Sequence, residues 1–109
     1  MSTKSDGRDM KFYKNLYIGN TITNTERIKR KLKLHKKILP PVYIIACAKE
    51  NKQLEIYSSL LLEQWYYKEN PPYVIGIAGS EEEAFEIIRQ IAEEAIQLTG
   101  KPDLVDYLF

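Results

Sequence analysis

Two short apolar runs, residues 42–48 and Tyr73–Ala78, limit the fold more than any other feature of this sequence. A half-buried strand alternates apolar and polar side chains, and an amphipathic helix repeats its apolar positions every three to four residues. The run at 42–48 does neither, and its seven residues are too few for a buried helix, so it fits a strand covered on both faces. Pro40 and Pro41 precede the first run, and Pro71 and Pro72 the second. Proline has no backbone N–H and biases its predecessor out of the helical region, so each pair closes any helix that arrives at it.

The remaining elements follow from period and punctuation. Residues 1–10 are polar, charged and aperiodic, which predicts a disordered tail and leaves 11–109 as a single domain. Residues 12–18, rich in aromatic and branched side chains and ending on Gly19-Asn20, predict a short strand and a turn. Thr23 and Glu26 form a capping-box pattern, and Ile28, Leu32, His35 and Leu39 recur at helical spacing, which predicts a helix as far as the first proline pair. A polar loop at 49–53 has hairpin length, and 54–58 alternates as a return strand with Leu54 and Ile56 facing inward. Leu54, Tyr57, Leu61 and Trp65 also have helical spacing, so one helix over 54–69 is the rival; a strand and then a helix from Ser58 or Ser59 to Asn70 is preferred. Ser80 followed by three glutamates opens a helix that Gly100 and Pro102 close, and 103–109 supplies a final turn that docks Leu104, Tyr107 and Leu108. The order is α+β: a ferredoxin-like βαββαβ sandwich, an antiparallel sheet with helices on one face, plus an added C-terminal helix.

Charge is sorted along the chain. Residues 1–40 carry eleven Lys/Arg against three acids, a net +8, and residues 41–109 carry five against twelve, a net −7. Such a chain either packs its basic element on its acidic one or offers a basic face to an acidic partner. On the predicted helix over 26–38, Lys29, Arg30, Lys33, Lys36 and Lys37 share the arc opposite the apolar stripe and form the candidate binding face, with Arg27 and Lys31 flanking the stripe. Trp65, Tyr66, Tyr67 and Tyr73 form a candidate aromatic patch astride the second proline pair.

Catalytic chemistry has little to stand on. Cys47 and His35 are the only thiol and imidazole; the first sits in the most apolar run and the second on an apolar stripe, so both read as structural. The sequence offers no ligand set with metal spacing, and no cofactor is expected. The segment 76–80 leads from a strand to a helix start, but its glycine spacing fits neither nucleotide fingerprint and the glutamates after it repel anions. The longest apolar run is far below the roughly 20 residues of a membrane helix, and one cysteine suits a reducing compartment, so a soluble cytoplasmic protein is expected.

Leu16-Tyr17-Ile18-Gly19-Asn20 resembles the first-strand signature of the RNA-recognition motif, and Ser80-Glu81-Glu82-Glu83-Ala84 the start of that family's second helix. The family's aromatic-rich strand corresponds here to Ile75, Gly76, Ile77 and Ala78, which carry no ring to stack a base, and the likeness reads as coincidence. A resemblance over most of the chain, carried by Lys11-Phe12-Tyr13-Lys14-Asn15-Leu16-Tyr17, Leu54-Glu55-Ile56-Tyr57 and residues 71–80, is to a group of small bacterial proteins of unknown function. It implies a stand-alone cytoplasmic protein and supplies no site residues. The functional expectation is a small non-enzymatic interaction module that associates with itself, as a homodimer, or with another protein. Nucleic-acid binding through the basic helix 26–38 is the alternative.

Overall fold

The computed structural model describes residues 10–48, 53–64 and 69–109. The chain runs β1 (Lys11–Ile18), α1 (Thr25–Lys33), β2 (Tyr43–Ala48), β3 (Gln53–Ser58), a 3-10 turn (Leu61–Glu63), β4 (Tyr73–Ala78), α2 (Glu81–Thr99) and α3 (Leu104–Leu108). The predicted tail over 1–9 lies outside the described residues. Met10, the last residue assigned to that tail, is only 4% exposed and belongs to the core.

The four strands form one sheet in the order β1-β4-β2-β3. β2 runs antiparallel to both β3 and β4, while β1 runs parallel to β4. The α+β class holds, but the ferredoxin-like arrangement does not describe this sheet, because one pairing is parallel and the helices do not share a face. The topological half of the likeness to the RNA-recognition motif goes with it.

The reason lies in the two apolar runs. Ile44 packs with Ala46, Val74, Ile77 and Leu32 of α1. Its neighbour Ile45 packs with Ile75, Ala78 and Ala84, Ile87 and Ile91 of α2. Both isoleucines are fully buried, as are Val74, Ile75 and Ile77, so the central strands β2 and β4 are apolar on both sides and need cover on both. A one-sided sheet would leave Ile45 and Ile75 in water, at roughly 1.5–3 kcal/mol each. β4 holds one more residue than β2 where Ile45 pairs Gly76 and Ala46 pairs Val74, a bulge that re-phases its side chains.

Helix limits also shift. α1 stops at Lys33, five residues short of the predicted end. Lys36 N–H donates to Lys31 C=O and His35 N–H to Leu32 C=O, with His35 at φ 55°, a Schellman stop with histidine in the position glycine usually takes. The N-cap is Asn24 with no side-chain cap bond, so the Thr23/Glu26 capping box does not form. The helix predicted from Ser58 or Ser59 to Asn70 is replaced at its start by the single 3-10 turn, after which Gln64 is extended. Ser59 cannot cap a helix there: it is buried, its hydroxyl accepts from Val42 N–H at 3.0 Å, and its N–H donates to Val42 C=O. α2 has the predicted ends, with Ser80 Oγ accepting from Glu83 N–H at 3.1 Å and Gly100 left-handed at φ 76°. In α3, Asp103 caps and Leu108 is buried against the α2 side of the sheet.

Ile44→Ala and Ile45→Ala probe the two-sided cover. Each is expected to cost about 2–5 kcal/mol in urea denaturation, whereas a sheet covered on one side would make one of the two nearly silent.

Candidate functional site

The basic side chains of α1 divide by angle. At about 100° per residue, Ile28 and Leu32 turn to the core, Lys29 and Lys33 fall on one flank, Arg27 and Lys31 on the other, and Arg30 outward. The first flank leans over β1, with Lys29 Nζ 5.3 Å and Lys33 Nζ 5.6 Å from the centre of the Phe12 ring, and Lys29 also 3.7 Å from Glu26. Cation–π contacts of this exposed kind contribute about 0.5–1 kcal/mol each, which offsets the like-charge cost between Lys29 and Lys33. Lys36 and Lys37 lie beyond the helix, exposed, in the segment that leads to Ile38 and Val42. The five predicted residues therefore share one side of the sheet but not one helical face, because the His35 stop turns the chain before Lys36.

Acidic charge collects on the opposite side. α2 carries Glu81, Glu82, Glu83, Glu86, Glu93 and Glu94 against the single cation Arg89, which bridges Glu86 at 2.6 Å and Glu93 at 2.7 Å. The sheet stands between α1 and α2. Packed layers spaced by about 10 Å put the two charged surfaces roughly 20 Å apart, beyond the screening length of about 8 Å at physiological salt. The acidic helix does not cover the basic one.

At the carboxyl ends of the parallel strands β1 and β4, Glu83 ties two loops together. Its carboxylate accepts from Gly79 N–H at 2.8 Å, from Thr21 Oγ1 at 2.7 Å and from Thr21 N–H at 3.1 Å. The Gly79 N–H foremost, then the Thr21 hydroxyl and the backbone of Thr21 and Asn20, hold its pKa below the ordinary glutamate value. A Cβ at Gly19 would fall on this carboxylate and one at Gly79 on the Thr21 hydroxyl, so the two glycines leave the room the latch occupies. Within segment 76–80 the Gly79 N–H is thus committed to an internal carboxylate.

Further along α2, Glu94 accepts from Tyr17 Oη at 2.8 Å, Tyr107 Oη at 3.1 Å and Gln90 Nε2 at 3.2 Å. The Tyr17 hydrogen bond is the main cause of its lowered pKa, while burial, followed by the Glu94 contact, pushes the Tyr17 and Tyr107 phenols upward. Of the predicted aromatic patch, Trp65, Tyr66 and Tyr67 lie outside the described residues. Tyr73 instead meets Phe109 at 5.3 Å, and Phe109 meets Tyr13 edge-on at 5.8 Å, while Tyr13 stacks with Tyr17 at 6.4 Å. The sequence signal for this cluster is the four-residue spacing of Tyr13 and Tyr17, an even number that puts both on the α2 side.

Cys47 packs on the α2 side of the sheet, while His35 ends α1 on the other, so the sheet separates the two. Among the described residues no group of three or more Cys, His, Asp or Glu is placed to hold a metal, and no helix is long and apolar enough to cross a membrane. Comparison with protein-family models, with curated proteins and with solved structures gives no match.

Glu83 sets a pH dependence. Its pKa is depressed in the folded chain, so its contribution to stability is complete above the ordinary glutamate value and is lost as pH falls through the lowered one. Thermal midpoints followed from about pH 7 to about pH 3 are expected to fall less steeply for Glu83→Gln than for the wild type, and Glu83→Ala is expected to cost about 1–2 kcal/mol at neutral pH.

Proposed function

We propose that this protein is a non-enzymatic binding module whose α1 side engages a polyanion, the phosphate backbone of a nucleic acid being the partner of matching chemistry. The observation that carries the reading is the position of the sheet, which keeps the acidic glutamates of α2 away from Arg30, Lys33, Lys36 and Lys37. These four side chains are exposed and none is paired with a carboxylate among the described residues. Lys14, exposed on the edge strand β1 and two residues beyond Phe12, extends the positive surface. Phe12 lies beneath Lys29 and Lys33 and is not offered to bases, so recognition by charge with weak sequence preference is the mode these residues suit.

Charge reversal of Arg30, Lys33 and Lys37 to Glu is the direct test. Fluorescence anisotropy with a duplex oligonucleotide is expected to show a loss of affinity of about tenfold or more, and a salt slope that shrinks by about 0.9 for each phosphate contact removed. Failure of the wild-type chain to bind the duplex at about 50 mM salt sinks the reading.

A second reading, self-association or binding of another protein, is favoured by a different surface. Phe85 is 58% exposed and Ile96 51%. Eleven positions apart on α2, they fall within about 20° of each other at 100° per residue, with half-buried Ala92 between them. Two large apolar side chains on one exposed flank are an association surface in miniature. If they serve a homodimer, sedimentation at high micromolar concentration shows a dimer that Phe85→Asp with Ile96→Asp converts to monomer; a wild-type monomer there excludes it.

A further inference from the structure

The chain leaves β1 for α1 on one side of the sheet and leaves β4 for α2 on the other, and these two strands are adjacent and parallel. Between their carboxyl ends the outgoing loops must diverge, and in open sheets of this kind that divergence is where small ligands bind. A cavity of about 400 Å³ opens there on the α1 side, bounded by the loop 19–24, by α1 and by the segment that enters β2. Its size falls in the range of small-molecule sites.

Two kinds of surface line it. Arg27 and Lys31, one helical turn apart, stand on the α1 wall, and neither meets a carboxylate among the described residues. Like charges at this spacing repel by a few tenths of a kcal/mol, and a bound anion removes that cost. Beneath them Ile22, Ile28, Ile38 and Val42 provide an apolar floor continuous with the core. Thr23 and Asn24 add polar atoms at the rim. Two acids stand near the cavity: Glu26, whose carboxylate is 3.7 Å from Lys29 on the other flank of α1, and Glu83, whose carboxylate is held by Gly79 and Thr21. Arg27 and Lys31 lie on the flank of α1 away from Phe12 and are not the cations assigned to polyanion binding.

We infer that this cavity binds a small amphipathic anion, a carboxylate or phosphate monoester attached to an apolar body. The head group sits between Arg27 and Lys31, and the body lies on the isoleucine floor. A phosphate backbone is left to the outer cations Arg30, Lys33, Lys36 and Lys37.

The test uses three probes that share a body and differ in head: 2-naphthyl phosphate, 2-naphthoate and the neutral 2-naphthalenemethanol, each titrated into the full chain and followed by amide chemical shifts. Both anions are expected to give saturable shifts at Asn24, Arg27, Lys31 and Val42 and to bind about tenfold or more tightly than the alcohol. The tighter anion identifies the head group. Arg27→Gln with Lys31→Gln is expected to abolish the advantage of the anions and to leave alcohol binding and thermal stability unchanged. Charge reversal at Arg30, Lys33 and Lys37 leaves probe affinity within about twofold, so failure of the polyanion reading and failure of this one are distinguishable. Absence of saturable shifts at millimolar probe, shifts centred outside the cavity, or an alcohol that binds as well as the anions overturns the inference.

Discussion

Ile44 and Ile45 are neighbours in sequence and pack against different helices, and the rest of the molecule depends on that alternation. A strand whose successive side chains are all apolar cannot face water on either side, and β4 repeats the condition over residues 74–78. Burial on both faces requires two layers of cover. Among the described residues one long amphipathic helix and one short one supply most of it, so α1 goes to one side and α2, with α3 beside it on the sheet, to the other. The separation of charge is then a by-product of hydrophobic burial, since the short helix carries the lysines and the long one the glutamates.

The same constraint places the candidate sites. With helices leaving adjacent parallel strands in opposite directions, the loops at that end are pulled apart, and something must hold them in register. Glu83 does so with three hydrogen bonds, two of them to Thr21, 62 residues away in sequence. The carboxylate belongs to the first turn of α2, where the helix dipole also favours it. Cavity and latch are two consequences of one divergence in the backbone.

Much of this was legible in the sequence, and what was not shares a cause. The strands and α2 announce themselves locally through unbroken apolar runs, a serine followed by glutamates, and a glycine stop. Features set by distant partners do not. Nothing near Ser59 says that its hydroxyl will be spent on Val42 rather than on a helix start. Histidine at a left-handed Schellman position defeats a reading that looks for glycine or proline, and so Lys36 and Lys37 were placed on a helix that ends before them. The parallel pairing of β1 with β4 joins the first strand to the last, and periodicity carries no record of which edge a strand takes. Ser80 caps α2 through its hydroxyl as its position before the glutamates suggests, while the capping-box pattern at Thr23 is empty because the N-cap falls one residue later. The basic surface was visible as composition, but whether it was covered depended on the layer order, which the residues alone did not fix.

A net charge of +1 suggests an electrically unremarkable molecule. With the lysines and arginines of α1 on one side of the sheet and the glutamates of α2 on the other, it is instead a permanent dipole that orients in an external field. Such a particle adsorbs to cation- and anion-exchange matrices in the same buffer, presenting α1 to the first and α2 to the second.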